Sequence, residues 1–228
     1  MQNRSSRIIR LEFTQALTYS FQDEGWVRKW LILIAFACCV VLFPFSLFFL
    51  SIVLGYEIHI SDRVRFQQTP PLPEWDQIPQ MFVDGAHALV AGFIYQLPLL
   101  ILYGISYLLL VMGRGQYSPL ALVLLCVLVP FGIVYAALSW SLMAAAITEF
   151  NETKDHSVYY QFSSLVNTLK ENSSITWAYI INMFTINILL TFLLFIPILG
   201  WLVYPAFQIC SQGHLIGQFG HIITRDRA

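Results

Sequence analysis

The residues able to do chemistry are few, and they are scattered through an apolar chain. Five histidines, His59, His87, His156, His214 and His221, could ligate a metal or a tetrapyrrole. His214 and His221 stand one heptad apart, which puts both on one face of a helix. No carboxylate sits at ligand spacing beside either, and histidines at aromatic-rich membrane interfaces commonly serve as hydrogen-bonding groups. His214 and His221 are therefore ligand candidates only, and no cofactor is expected. The cysteines Cys38, Cys39, Cys126 and Cys210 all fall in apolar stretches, with neither zinc spacing nor a CxxC pair. Buried packing is their expected role. Glu57 and Glu149 are the only carboxylates close to the apolar runs, and as helix-end residues they are expected to snorkel into the headgroups. Neither GxSxG nor HExxH occurs, and the chain is not expected to be an enzyme.

These residues must be positioned by membrane helices. The sequence is 57% hydrophobic and 11% charged, with a mean hydropathy of +0.67, the balance of a polytopic membrane protein. Four windows lack Asp, Glu, Lys and Arg: Trp30 to Tyr56, Ala86 to Gly113, Gly115 to Thr148 and Asn172 to Thr224. The last holds 53 residues. At about 1.5 Å per residue that is far more than the roughly 30 Å of hydrocarbon one passage can hold. It must cross twice, with the break at Pro197. The first window is either one helix kinked at Pro44 or two short spans that turn there.

Charge favours the turn. Helices near 27–43, 45–61, 87–112, 118–146, 174–196 and 197–220 place Arg4, Arg7, Arg10, Arg28, Lys29, Arg63, Arg65, Lys154, Lys170, Arg225 and Arg227 on one side, leaving Arg114 alone outside. A kink would divide the basic residues evenly, against the usual cytoplasmic excess. The expected fold is an all-α integral membrane protein, a single polytopic domain over 1–228 with both termini cytoplasmic. Its six transmembrane helices form three consecutive hairpins, near 27–61, 87–146 and 174–220. A short cytoplasmic amphipathic helix precedes each hairpin, near 11–25, 75–85 and 157–171. The stripes are Phe13, Leu17 and Phe21, then Trp75, Ile78 and Phe82, then Val158, Phe162, Leu165 and Leu169.

The pieces "PFSLFFLSIVLGYEI", "LPEWDQIPQMFVDG", "IYQLP" and "IPILGWLVYP" stand in this order and spacing. With them the chain resembles the uncharacterised prokaryotic membrane family catalogued as domain of unknown function 4013, roughly from Phe13 to Gly220. The most specific piece is "LPEW" followed by "DG". The resemblance implies an integral protein of a prokaryotic cytoplasmic membrane, or an internal membrane derived from it. It brings no catalytic or ligand residue.

Helix-packing surface is plentiful. Ala137, Ser141 and Ala145 recur at every fourth position, and Gly213 with Gly217 forms a GxxxG, both of which let backbones approach closely. Trp75, Asp76, Asp84, Phe162 and Leu165 form a candidate interaction rim on the cytoplasmic side. The mid-membrane polar groups are neutral: Gln96, Asn182, Thr185, Asn187 and Gln208. The expected function is that of a non-enzymatic interaction, assembly or accessory protein, whose partners are the bilayer and another membrane protein or a second copy, with no nucleic acid. The alternative is a transporter or channel for a small uncharged solute.

Overall fold

The computed structural model describes residues 11–42, 44–112 and 119–227. Arg114, the one basic residue assigned to the outer side, lies outside them, as do Arg4, Arg7 and Arg10. The described residues form eight α-helices and no strand: α1 (Phe13–Thr18), α2 (Trp26–Cys39), α3 (Ser46–Arg65), α4 (Ile78–Met112), α5 (Pro119–Thr153), α6 (Phe162–Glu171), α7 (Ser173–Thr191) and α8 (Leu199–Arg227). The fold is all-α. Three stretches, Ile78–Leu108, Cys126–Thr153 and Ser173–Phe195, are long and apolar enough to cross a membrane. Of the other expected crossings, α2 has only 14 residues, and α3 carries Glu57, Asp62, Arg63 and Arg65 among its 20. Gln208, Gln212, His214, Gln218 and His221 interrupt the apolar run of α8.

Pro44 lies in a turn between α2 and α3, not inside one bent helix. The two helices run antiparallel. Phe36 meets Phe49 with ring centroids 6.0 Å apart, and Trp75 sits between Phe36 of α2 and Tyr56 of α3. In α4 and α5 the same antiparallel pairing appears, with Gln96 Nε2 donating to Ser139 Oγ at 2.7 Å and the Tyr135 hydroxyl to Tyr95 O at 2.6 Å. The outward faces of this pair, from Phe93 to Leu108 and from Val127 to Leu138, expose large apolar side chains. Apolar area on that scale is compatible with a membrane protein.

The second amphipathic segment, expected as a separate helix near 75–85, is the start of α4, which runs unbroken from Ile78 to Met112. Pro79 falls in the tolerant first turn, and Gly85 is held against the backbone of α3. The third segment divides into a 3-10 turn over His156–Tyr160 and α6. Asp155 caps the turn, its carboxylate accepting from Ser157 N at 2.9 Å.

α3 is the axis of the molecule. Half of it is buried, from Ser51 to Arg65, between α4 on one side and α8 on another. A methyl group added to Gly55 would stand on the Met81 carbonyl oxygen, 2.8 Å from Met81 Cα. One added to Gly85 would stand on the Ser51 carbonyl oxygen. The two helices cross backbone to backbone because neither carries a side chain there. On its other face, α3 receives Gly213 and Gly217 so closely that a methyl group added to Gly213 would lie 2.9 Å from Glu57 O and one added to Gly217 2.7 Å from Ser61 O. The GxxxG of α8 therefore closes the bundle internally.

The "LPEW" stretch is a clamp. Lys29, buried, donates to Asp23 Oδ2 at 2.8 Å and Leu72 O at 2.9 Å, and pairs with Glu74 Oε1 at 2.7 Å. Leu72 N returns to Asp23 Oδ2 at 3.1 Å, and Trp75 stacks on Tyr56 with centroids 4.2 Å apart. Trp75 Nε1 donates to Lys29 O at 3.3 Å. Burial opposes ionisation of Asp23, but the hydrogen bonds from Lys29, Leu72 and Gly25 outweigh it and hold the carboxyl below its ordinary value.

Candidate functional site

His214 and His221 share a face of α8, yet each is committed to a different neighbour. The His214 ring lies 4.4 Å from that of Tyr19, and its Nε2 accepts from Gln218 Nε2 at 2.8 Å, which leaves Nδ1–H buried without a partner. His221 Nδ1–H donates to Arg65 O at 3.0 Å. Both line a cleft of about 520 Å³ between α1, the chain after α3, and α8. Among the described residues no three His, Cys, Asp or Glu side chains converge as a metal site. The four cysteines are free.

The interaction rim needs a correction. Asp84 and Leu165 are buried, and Trp75 is half-covered in the clamp, so only Asp76 and Phe162 remain exposed. Asp84 instead joins three segments. Its two carboxylate oxygens take His59 Nε2 from α3 at 3.0 Å and His156 Nε2 from the 3-10 turn at 3.1 Å. Gln80 Nε2 adds a third bond at 2.8 Å, and His87 stacks on His156 at 4.2 Å. This cluster faces a polar cleft of about 410 Å³ that also holds Asp62, Arg63 and Lys154. Ala137, Ser141 and Ala145 are buried within the core that joins α5, α7 and α8. Phe219, Ile222 and Leu165 pack in the same core.

The sequence placed Glu57 at a helix end, snorkelling into the headgroups. It does not lie at a helix end. It sits eight residues before the end of α3, 8% exposed, because α3 is covered on more than one side. Among the described residues no hydrogen bond or ion pair reaches its carboxylate. It lines a chamber of about 240 Å³ formed by α3, α4, α5, α7 and α8, with Tyr179, Gln208 and Gln212 as the other polar walls and Met143, Met183, Ile147 and Trp140 among the apolar ones. A buried carboxylate with no counter-charge is costly, and in a membrane protein it marks a functional site by default. The signal was present in the sequence: Ser51, Gly55, Ser61 and Arg65 share α3 with Glu57, too many small and polar residues for a lipid-facing span.

The chamber has neighbours on two sides. Leu54, Ala88, Trp140 and Met143 line both the chamber and an apolar groove of about 400 Å³, where Gln96 and Ser139 meet. Ile58, 1% exposed, stands between the chamber and the polar cleft of Asp84. A groove open to the apolar face, a chamber with Glu57 in its wall and a polar cleft thus lie next to one another, with Ile58 shared by the chamber and the cleft. The arrangement can hold a small molecule and offers it an ionisable group. It presents no nucleophile paired with a base.

No curated protein and no solved structure matches the chain. One family does, under the description "Protein of unknown function (DUF4013)", over residues 31–203. That stretch takes in α3 to α7 whole, with Glu57, Trp75 and Asp84. The match spans more than half of the sequence, and the chain belongs to the DUF4013 family.

Proposed function

We propose that the protein binds a small solute in the chamber beside Glu57 and moves it across the membrane. One observation carries the reading: a carboxylate without a partner, nine-tenths buried, facing a cavity of about 240 Å³ inside a bundle with an apolar exterior. The accessory role that the sequence favoured loses support from the geometry, since Gly213 and Gly217 are spent on α3 and Asp84 and Leu165 are buried. The chamber shares Ile58 with the cleft and Ala88 with the groove as common walls, a plan that suits a site reached alternately from two sides. The proposed topology has six crossings in three hairpins, both termini cytoplasmic, in a prokaryotic cytoplasmic membrane, and the proposed activity includes no covalent step.

The test is uptake by liposomes that contain the purified protein alone. Wild type should show saturable uptake of at least one member of a panel of labelled small solutes. Ala88→Leu, which fills the junction of chamber and groove, should lower that uptake while the protein still elutes as a single folded species. Uptake that never saturates, or none across the panel, overturns the proposal.

A further inference from the structure

We infer that the solute of the Glu57 chamber is a primary ammonium, R–NH3⁺, with a short apolar body. The inference rests on the reading of the chamber as a solute site and concerns its chemistry, where the sequence led to an uncharged solute. The argument begins at Asn187. Its Nδ2 donates to Met183 O at 2.8 Å, so its Oδ1 is an acceptor. Gln208 Nε2 and Gln212 Nε2 both point to that oxygen, each at 3.4 Å. Each glutamine spends one of its two N–H donors on that oxygen, and its Oε1 is left to accept. With the Glu57 carboxylate, three residues of the chamber wall offer acceptor oxygens, beside the Tyr179 hydroxyl and the Trp140 ring N–H.

An ammonium carries three donors and a positive charge, and it answers both the geometry and the unpaired charge. Among the described residues of the lining there is no Lys, Arg or His that could supply the charge from within. An anion would meet the carboxylate, and a neutral solute would bring it no counter-charge. A divalent metal would find one carboxylate and no cluster of ligands. A quaternary ammonium would leave the amide oxygens without donors. Met143, Met183, Ile147 and Ile216 make the rest of the wall apolar, which suits a hydrocarbon body. The chamber's 240 Å³ equals the volume of roughly eight waters at about 30 Å³ each, which limits that body to a few carbons.

The experiment is titration calorimetry on the purified full-length protein in detergent at constant ionic strength. The probes are n-propylammonium chloride, 1-propanol, propionate, tetramethylammonium chloride and sodium chloride. Propylammonium should bind at least tenfold more tightly than any other probe, with affinity rising about fourfold per added methylene until the chamber is full. Glu57→Gln should weaken propylammonium at least tenfold and leave 1-propanol unchanged. Gln212→Leu, which removes one acceptor and keeps the charge, should weaken it severalfold, so that the assignment stands or falls even if one variant does not fold. Equal binding of propanol, or an ammonium affinity that ignores both substitutions, overturns it. Saturable uptake of neutral solutes without ammonium binding would leave the transport reading standing and sink this one, and ammonium binding without uptake of any solute would do the reverse.

Discussion

A single methyl group added at Gly85 should separate α3 from α4. It would be placed on the Ser51 carbonyl oxygen and 2.8 Å from Ser51 C, so that carbon alone must retreat by about 0.6 Å to reach an ordinary contact of 3.4 Å. The atoms met are backbone, which cannot rotate away as a flexible side chain does. Overpacking costs about 1–3 kcal/mol. Rigid atoms put Gly85→Ala near the upper end, about 3 kcal/mol, or roughly 6–12 °C in thermal midpoint for a chain of this size. The displacement also loosens the neighbouring Asp84 and its 3.0 Å contact with His59 across the same helix pair. Gly104→Ala is the matched control, because it lies on the same helix with nothing within 4 Å of the added atom. There the better helix propensity of alanine should leave stability equal or raise it by up to about 1 kcal/mol. The assay is thermal unfolding in detergent, followed by intrinsic fluorescence. If Gly85→Ala melts within a degree of Gly104→Ala, the two backbones are not in contact and the central packing described for α3 is wrong.

Lys29→Met should destabilise the protein by about 3–5 kcal/mol, because it leaves Asp23 buried without its counter-charge, as chemical denaturation would measure. Asp23 has its carboxyl held below the ordinary value, so its contribution is complete above about pH 4 and drains as pH falls through the lowered value. A comparison of melting at pH 7 and pH 3 should show this loss in wild type and a smaller one in Asp23→Asn. Gly217→Leu should leave little monodisperse protein after extraction, since even the first added carbon lies 2.5 Å from Val64 Cβ; a normal yield of a single species would contradict that contact. For the topology, a lone Cys at Gly115 should react with an impermeant maleimide outside intact cells and one at Gln68 should not, and labelling at Gln68 would refute six crossings.

Features fixed by local chemistry were legible in the sequence. The apolar windows and the turns at Pro44 and Pro197 each depend on residues within one or two turns of one another, whereas the third amphipathic segment divides into a 3-10 turn and α6 and leaves Phe162 of its stripe exposed. The GxxxG of α8 announced close helix contact, though not which helix it would meet. Features that depend on helices meeting in space were not legible. Gly55 and Gly85 lie thirty residues apart, each unremarkable within its own helix, and only the crossing makes them a pair. Asp84 collects His59 and His156 from segments on either side of it in the chain, so it reads as one acid on a cytoplasmic rim until the three are assembled. "LPEW" was rightly singled out as specific, yet its specificity serves a clamp to Lys29 and Tyr56 and not a ligand. Glu57 was misplaced for a related reason. Its distance from the end of the apolar window located it near the headgroups, whereas its burial comes from α7 and α8, which lie more than a hundred residues away.

Whether small solutes reach the chamber inside the bundle is read from the reactivity of one cysteine placed there. In a background without Cys38, Cys39, Cys126 and Cys210, Gln212→Cys puts a thiol on the chamber wall. Membranes that contain this variant are treated with a small thiol reagent, 2-aminoethyl methanethiosulfonate, and modification is followed by mass spectrometry over time. Complete modification of the folded protein is expected within minutes, slowed by any solute that the liposome assay finds to be taken up. A thiol that stays unmodified until the protein is denatured would mean a sealed chamber, and the proposed site would fall with it.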